Sequence, residues 1–411
     1  MLSMNLRCVF MLMTLVPGIM GAQNLISVEF KVFPQPYTVM SNGQILQPYS
    51  WNGTRKVFRL PLGIQTLTLT APGAVPLRIS PLVAPGLQIQ EKLEPRNSPL
   101  IKTAQVLTGK GPKSLLFTPD SKKILVPLVD DTGIDVISLN TLQLEPRLST
   151  GATGVLKGFS EAAYLPSKNE IWISQFTTGQ IHIFSSQSLD YLASVNAGSR
   201  GNEVVVFTPS GSKALVSNGE TKQLSIIDTT TRILEKSLNL SGIPRGIAIT
   251  GDSLQAYVAI FEGASVEKID LGTFKSQGLL SYGPTGAMRH ALALENRLFF
   301  SDMLRGGLVS AQAPTGRFLK FLYLGANLTT LVADPKGKYL FAVSRGMNNP
   351  TDFTLPGPEF GKIFMINTED LTVSASVWGK NQPTGLAVSP DGKWMAFSNF
   401  LDNQVEIYRI R

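Results

Sequence analysis

Seven residues that differ in chemistry occupy one recurrent position in this sequence, each directly before an apolar segment. Three are cations, one is a carboxylate and three are hydroxyls, whereas a purely structural position would tend to repeat one residue type. They are Lys113, Ser160, Glu203, Arg245, Arg289, Thr329 and Thr384. If the fold gathers them, three cations against one carboxylate would form an anion site, with arginine forks suited to a carboxylate or a phosphate.

Two further roles are open within this set. Glu203 could hold one of the arginines in place, because a carboxylate and a guanidinium stabilise each other's charged forms. His290 follows Arg289, where it could line the same site and titrate. The plainer interpretation is that these side chains solvate a water-filled channel. His182, in the alternating segment QIHIFS, is typical of packing between strands.

The sequence lacks the patterns that enzymatic and metal sites require. No two histidines share metal-ligand spacing with a carboxylate, and there is no EF-hand loop, phosphate-binding glycine loop or nucleophilic serine elbow. Cys8 is the single cysteine, and it precedes the apolar segment near the N-terminus. We therefore expect no catalytic residue, no metal and no cofactor.

The elements that must position these residues repeat seven times from about residue 101 onward. In each unit an apolar strand meets a turn, commonly rich in Pro, Asp and Gly, and further strands follow, as in TGLAVSPDGKWMAFSN. The turns fall at Pro119, Pro166, Pro209, Gly251, Leu294, Pro335 and Pro390. Most intervals match the roughly 40–45 residues of a four-stranded blade, so the repeat predicts a seven-bladed β-propeller whose first strands face a central channel.

The two ends of the repeat region predict how the ring closes. The seventh unit ends after its third strand and lacks an outer strand. The segment KTAQVLTG at residues 102–109 resembles the fourth strands of the other units, so we expect it to complete the last blade. Closure leaves only short, protected sheet edges. The propeller would then span residues 101–411.

One unit is longer than the others because of an insertion at residues 346–361. Its sequence, GMNNPTDFTLPGPEFG, is rich in Pro, Gly and Asn and predicts a surface loop. Phe353, Leu355 and Phe360 make it partly apolar. Long loops on a rigid ring commonly carry recognition, so we expect this one to contribute to binding. An insertion without a role is the alternative.

Two segments precede the repeats. Residues 24–98 alternate between strand-like stretches and turn residues, which predicts a small antiparallel β domain. Residues 1–22 place Arg7 before an apolar core and small residues after Pro17, the pattern of a secretory signal peptide. We expect an exported protein of the periplasm or cell surface, with no transmembrane segment after cleavage. An uncleaved anchor is the alternative.

The formal net charge of +8 is spread over the chain with no polybasic run. A basic surface suits an anionic partner such as an envelope polymer, a lipid headgroup or an acidic protein. A solvated surface without a partner is the plainer interpretation. The basic and aromatic stripe typical of nucleic-acid binding is absent, so we expect no nucleic acid as partner. We expect the protein to be a monomer.

Two parts of the chain resemble known families. The repeats resemble the YVTN-type β-propeller repeat of bacterial and archaeal surface proteins. Residues 383–392 (PTGLAVSPDG) match its opening, 214–218 (ALVSN) its middle and 224–229 (LSIIDT) its end. Residues 60–73 (LPLGIQTLTLTAPG) resemble the PEGA-type domain, an envelope module without catalytic residues. The resemblances imply an all-β bacterial envelope protein, a seven-bladed propeller preceded by a small sandwich-like antiparallel domain.

Two functions compete. The leading hypothesis is a non-catalytic exported binding or scaffold protein that recognises an envelope protein or an anionic polymer or ligand through the channel mouth and the 346–361 loop. The alternative is a lactonase-like propeller hydrolase acting on a small anionic substrate at that mouth. Glu203 with Arg245, Arg289 and His290 is the constellation that could serve it. A calcium-dependent hydrolase would need more acids at the centre, and a quinone-cofactor dehydrogenase would need tryptophan motifs in every blade.

Overall fold

The computed structural model describes residues 25–148 and 156–411. Across these two ranges the regular structure is β, apart from the short 3-10 turns Pro166–Lys168 and Phe400–Asp402. In the described chain no helix has the length and apolar character needed to cross a membrane. The signal peptide predicted for residues 1–22 lies outside the described residues.

The N-terminal domain consists of two four-stranded sheets and one two-stranded pair. Its strands are β1 Leu25–Phe33, β2 Thr38–Ser41, β3 Gln44–Ile45, β4 Ser50–Asn52, β5 Arg55–Pro61, β6 Gly63–Ile64, β7 Leu67–Thr70, β8 Leu77–Ile79, β9 Leu82–Val83 and β10 Gln88–Lys92. The sheet orders are β10-β1-β5-β4 and β3-β2-β7-β8, with β6 on β9. β1 and β10 run parallel and the other pairs antiparallel. Alternate residues of β1 (Val28, Phe30, Val32) are fully buried in its core, as one face of a strand must be.

The remaining chain forms seven four-stranded antiparallel sheets, the blades. The strand that precedes them is β11 Leu100–Leu107. Blades one to three comprise β12 Leu116–Phe117, β13 Lys123–Pro127, β14 Ile134–Ser138, β15 Gln143–Leu148; β16 Phe159–Leu165, β17 Glu170–Gln175, β18 Gln180–Ser185, β19 Tyr191–Asn196; and β20 Asn202–Phe207, β21 Lys213–Asn218, β22 Gln223–Asp228, β23 Ile233–Asn239.

Blades four to six repeat this plan. They comprise β24 Pro244–Ile249, β25 Gln255–Ile260, β26 Ser265–Asp270, β27 Lys275–Ser281; β28 Met288–Leu294, β29 Arg297–Asp302, β30 Gly307–Gln312, β31 Arg317–Tyr323; and β32 Leu328–Ala333, β33 Tyr339–Ser344, β34 Lys362–Asn367, β35 Val373–Trp378. Blade seven contains β36 Pro383–Val388, β37 Trp394–Asn399 and β38 Gln404–Ile410. The predicted fold class, an all-β propeller preceded by a small β domain, is confirmed; that domain is antiparallel except for the parallel pair β1 and β10.

Blade seven takes its outer strand from the other end of the repeat region. β11 pairs antiparallel with β38, from Leu100 opposite Ile410 to Leu107 opposite Gln404, with an irregularity between Lys102 and Ala104. The sheet order is therefore β11-β38-β37-β36. This pairing joins the first and last repeats, so that the hydrogen-bonding edge of β38 is covered.

Apolar side chains fill the space between neighbouring blades. Trp172 of β17 is fully buried and meets Phe207 of β20 edge-on, with 5.4 Å between ring centroids. Leu165, Val205 and other aliphatic side chains of blades two and three complete the same cluster. Each blade therefore depends on its neighbours to bury its faces, which makes a closed ring more stable than isolated units.

The N-terminal domain contacts blades six and seven, and part of the insertion supports it. The ring of Phe33 lies 5.2 Å from Phe360 and 4.7 Å from Trp378. Lys31 Nζ donates to the carbonyl oxygen of Gly357 at 2.8 Å and lies 4.3 Å from the centre of the Phe360 ring. Phe360 is 1% exposed. The last third of the insertion thus packs against the N-terminal domain, and its side chains are not free to bind a partner.

A group of charged and polar side chains lies at the same domain boundary. This boundary cluster consists of Lys92, Glu94, Lys102, Glu406 and Tyr408. Lys92 Nζ lies 2.6 Å from Glu406 and 3.1 Å from Glu94, and Lys102 Nζ lies 3.0 Å from Glu406. Lys92 also donates to the Tyr408 hydroxyl at 2.7 Å. Burial would raise the pKa of Glu406, but Lys92 and Lys102 hold it below its ordinary value. Two cations thus match two carboxylates.

Candidate functional site

The first strands of the seven blades surround a central channel. Its cavity of about 380 Å³ has walls from every blade, including Leu115, Ala162, Val204, Ile247, Ala291, Leu331 and Leu386. Ser114, Glu161 and His290 lie toward the end where the first strands begin. Because neighbouring strands are antiparallel, second strands end at that same face. The insertion between β33 and β34 therefore belongs to this face, which we call the mouth.

Six charged residues meet at the mouth end of the channel and form the hub cluster. They are Lys113, Glu161, Glu203, Arg245, Arg289 and Arg345. The Glu203 carboxylate contacts the guanidinium of Arg245 and lies 3.6 Å from Nη1 of Arg289. The side chain of Glu203 is 9% exposed. Glu203 therefore faces two arginines, whereas the sequence suggested that it could hold one of them in place.

Lys113 and Glu161 occupy the other side of the hub cluster. Burial lowers the pKa of Lys113 well below its ordinary value; Arg289, Arg345 and Arg245 lower it further, and Glu161 opposes them. Burial raises the pKa of Glu161, against the effects of Lys113 and Arg289. Among the described residues no carboxylate lies within 4.0 Å of Lys113 Nζ. Lys113 is thus a desolvated amine with no close counter-ion there.

The hub cluster carries an excess of positive charge. Four cations face two carboxylates, which leaves a formal charge of plus two. Burial, followed by the repulsion of Arg289, lowers the pKa of Arg245 to about 9 and that of Arg345 to about 10. Both arginines remain charged at neutral pH. Such a concentration of like charge in a partly desolvated site attracts anions.

Several buried polar atoms of the hub have no hydrogen-bond partner within the described part of the chain. They are Glu203 Oε2, Arg245 Nε, His290 Nδ1 and Arg345 Nε. A buried polar atom without a partner costs about 1–3 kcal/mol, so native proteins contain few of them. Their concentration around one channel is therefore typical of a functional site.

The three hydroxyl residues of the predicted set lie beside the channel rather than in it. Ser160, Thr329 and Thr384 are at most 5% exposed. Thr384 Oγ1 donates to the carbonyl oxygen of Gln382 at 2.9 Å. The cavity is lined instead by the residues that follow them, Glu161, Thr330 and Gly385. The structure thus brings Lys113, Glu203, Arg245 and Arg289 together and leaves the hydroxyls in the wall.

A register shift does not explain why the hydroxyls stay out of the hub cluster. The first strands of blades two to seven all shift register against their second strands at this point. Such a bulge changes which side chains face which side of the sheet, but it does so alike in blades with a hydroxyl and in blades with a charged residue. The difference lies in side-chain length, because Ser and Thr are shorter than Lys, Arg and Glu and remain in the wall.

Two members of the hub cluster were absent from the predicted set. Glu161 is the acid within the otherwise apolar segment of β16, and that break in the pattern was a usable signal. Arg345 directly follows β33, outside any first strand. It enters the hub because second strands end at the mouth. Its position could have been found by searching the connections between second and third strands as well.

A second cavity opens at the mouth beside the hub. It has a volume of about 460 Å³ and shares Glu203 and Arg245 with the hub cluster. Phe176, with 43% exposure, supplies an aromatic surface, and Arg200 lies 3.2 Å from Glu220 at the rim. The hub cluster is therefore connected to solvent through a partly apolar pocket.

The two histidines differ in setting but not in charge. His290 lines the channel, and burial followed by Arg289 lowers its pKa to about 4. His182 lies on β18, with Nε2 2.9 Å from Gln175 Oε1 and its ring 5.4 Å from that of Phe159. Burial lowers the pKa of His182 to about 4 as well. Both imidazoles are therefore neutral near pH 7.

Metal chemistry has no obvious location in the described chain. Within residues 25–148 and 156–411, no group of three or more His, Cys, Asp or Glu side chains is placed to hold a metal ion. The two hub carboxylates face cations rather than each other. The arrangement is suited to holding an anion through charge and hydrogen bonds.

Comparison with known proteins gives one informative similarity. No family model matches the chain. Antigen Lp49 of Leptospira interrogans (serogroup Icterohaemorrhagiae, serovar copenhageni) is 29% identical over 410 residues of alignment, which cover 93% of this chain and 88% of Lp49. The similarity therefore extends over both the N-terminal domain and the propeller. The resemblances to YVTN-type repeats and to PEGA-type domains stay predictions.

Proposed function

We propose that this protein is an exported binding protein that holds an anionic ligand, or an anionic group of an envelope partner, at the propeller hub. The observation that carries the proposal is the hub cluster, where four cations converge on two carboxylates. A bound carboxylate or phosphate would neutralise the excess charge. It would also supply an acceptor for the unpartnered Nε atoms of Arg245 and Arg345.

Desolvation strengthens this interaction. The side chains of Arg289 and Arg245 are 13% and 21% exposed. Charges in such surroundings are weakly screened, so an anion gains more there than at an exposed lysine or arginine. An anion beside Lys113 would oppose the burial and the arginine repulsion that lower the pKa of this amine. The site therefore favours small anionic groups that can enter between the blades.

Binding agrees with the geometry better than hydrolysis does. The lactonase-like alternative requires a general base, whose pKa should lie near the working pH. The Glu203 carboxylate contacts Arg245 and lies 3.6 Å from Arg289, so its oxygens face guanidinium groups rather than a water to be activated. His290, with a pKa of about 4, is a weak base. The cations that would attract an anionic substrate thus leave neither Glu203 nor His290 well suited to act as the general base that activates water.

Export is supported by the relative. Lp49 is named an antigen, and recognition by antibodies agrees with a protein exposed outside the cell. The exposed part of the insertion lies at the mouth, where Phe353 is 66% and Leu355 48% exposed. Gln382 Nε2 donates to the Phe353 carbonyl oxygen at 2.5 Å and ties this segment to blade seven. We include residues 346–355 of the insertion in the proposed binding face. We propose that the protein binds its ligand as a monomer.

The experiment is an isothermal titration of the purified protein with inorganic phosphate and with acetate. We expect saturable binding that Arg289→Ala weakens about tenfold or more, because a charged hydrogen bond is lost. Arg317→Ala, which removes an exposed guanidinium on outer strand β31, is the matched control and should change the affinity little. Absence of binding, or equal loss in both variants, would overturn the proposal.

A hydrolytic readout separates the two functions. The same protein is incubated with small lactones and the release of acid is followed. A rate above the uncatalysed one that disappears in Arg289→Ala would favour the lactonase-like alternative. Anion binding without turnover favours the binding protein.

A further inference from the structure

We propose that the ligand is an anionic amphiphile, with a carboxylate head at the hub cluster and an unbranched apolar tail in the channel. The inference rests on the proposed function, because the head would use the same cations. It adds a ligand class that the charges do not specify. Its basis is the contrast between the two ends of a single cavity.

Away from the hub the channel wall is apolar. Val204, Ile247, Leu331 and Leu386 line it, each no more than 7% exposed. The cavity volume of about 380 Å³ lies within the range of small-molecule sites, roughly 300–1,000 Å³. A hydrated inorganic anion would leave these walls in contact with water. A hydrocarbon tail would remove that apolar surface from water, which is favourable in proportion to the area covered.

The other end of the same cavity carries polar groups. Ser114 is 5% exposed, and its hydroxyl lies beside the Glu161 carboxyl, to which it can donate. The buried Nδ1 of His290 has no hydrogen-bond partner in the described chain. Both residues line the cavity next to Lys113 and Arg289. A ligand carboxylate here could accept the Ser114 hydrogen bond in place of Glu161 while facing the two cations.

Glu161 limits the kind of head that fits. Its carboxyl lines the cavity and faces Lys113 and Arg289, so a ligand anion must share these cations with it. A head with a single negative charge offsets one of the two excess positive charges and meets less repulsion from Glu161 than a doubly charged phosphate does. We therefore assign a carboxylate head rather than a phosphate monoester.

The test is a chain-length series measured by calorimetry on the purified protein. Butyrate, hexanoate, octanoate and decanoate are titrated at one pH and salt concentration, below micelle formation. We expect the Kd to fall about fourfold for each added methylene until the channel is filled, the increment for full burial of a CH₂ group. Octanol, which has the tail without the charge, should bind much more weakly than octanoate.

A variant locates the tail. Val204→Phe narrows the channel, and it should weaken decanoate relative to butyrate. Ile233→Phe adds the same bulk on outer strand β23, at a position with 60% exposure, and serves as the matched control. The series on the unmodified protein keeps the test valid even if Val204→Phe folds poorly.

The outcomes separate the inference from the proposed function. If the four carboxylates bind with one affinity, the anion site stands and the amphiphile inference is wrong. If octanol matches octanoate, the channel is a general apolar site and the assigned head is wrong. If no anion binds, the inference and the proposed function fall together.

Discussion

Two buried charge groups in this protein have opposite character. In the boundary cluster, Lys92 and Lys102 face Glu94 and Glu406 at distances of 2.6 to 3.1 Å. In the hub cluster four cations face two carboxylates, and several buried polar atoms lack partners among the described residues. The comparison shows that charge balance, rather than burial, distinguishes a structural group from a candidate binding site.

The physical reason lies in desolvation. Removing a charge from water costs several kcal/mol, and only close, well-oriented counter-charges and hydrogen bonds offset that cost. The boundary cluster meets this condition and joins two domains. The hub cluster meets it only for Glu203, so its remaining cations reduce stability unless an anion joins them. Proteins retain such unfavourable groups mainly where function requires them.

The largest expected effect distinguishes the two clusters by stability. Lys92→Met should lower the free energy of unfolding by about 3–5 kcal/mol, because it leaves buried carboxylates with too few cations. Lys113→Met should lower it little or raise it, because it removes an excess charge. Denaturant unfolding measures both variants. Equal losses would show that the hub cluster is as structural as the boundary cluster.

The second prediction concerns pH. The pKa of His182 and that of His290 are about 4 in the folded protein and about 6.5 when unfolded, so the unfolded chain binds more protons between these values. Their contribution to stability is therefore present above pH 6.5 and lost as the pH falls toward 4, by at most about 3 kcal/mol each. Thermal unfolding from pH 7 to 4 measures it.

The same pH series sharpens the comparison of hub and core. A bound carboxylate would raise the pKa of His290, so octanoate should reduce the stability loss between pH 7 and about 5.5, where its own carboxyl is still ionised. The substitution His182→Phe should reduce the stability loss in acid whether or not ligand is bound, because the His182 ring packs against Phe159 in the interior of blade two. If octanoate acts equally in acid and at neutral pH, His290 is not coupled to the ligand site.

A third prediction removes the charge of one carboxylate in each cluster. Glu203→Gln removes the anion that occupies Arg245 and Arg289, and we expect ligand affinity to rise about tenfold, as for one gained charged contact. Glu406→Gln should leave the affinity unchanged and lower stability instead. Calorimetric titration with acetate gives the first result and denaturant unfolding the second. Weaker acetate binding in Glu203→Gln would mean that orienting the arginines matters more than freeing them.

The smallest expected effect is that of salt. Raising the ionic strength from about 0.05 to 0.5 M should weaken anion binding several-fold, since chloride competes and screening increases where the hub opens to the mouth. The stability that the boundary cluster contributes should change little, because Lys92 and Glu406 are almost fully buried. Comparing Lys92→Met with the unmodified protein at both salt concentrations tests this. A strong salt dependence of the difference in unfolding free energy between the two proteins would contradict this prediction.

The sequence predicted the propeller well because each blade is built from local patterns. Turns such as Pro390-Asp391-Gly392 and alternating apolar residues repeat at a blade's length, so fold class and blade number follow without long-range information. Lys113, Arg245 and Arg289 could be grouped because equivalent positions of repeats point the same way.

The reasoning from equivalent positions failed where the side chain is short or where contacts link distant segments. Thr384 stays in the channel wall, whereas Glu161, which follows the equivalent Ser160, lines the channel. Arg345 reaches the hub from a connecting segment, which carries no repeat pattern. The insertion illustrates the same limit, since Phe360, in a segment predicted to be a surface loop, is buried against Phe33 of the N-terminal domain.

The sequence by itself determined that this chain consists of seven similar blades and a small β domain, because strand periodicity and turn chemistry act between near neighbours. Only the tertiary structure decided which charges are balanced. Lys31 contacts Gly357, 326 residues away, and Glu203 contacts Arg289 from a different blade. Such pairings depend on how the ring closes and where the N-terminal domain packs, and no local pattern encodes these distances.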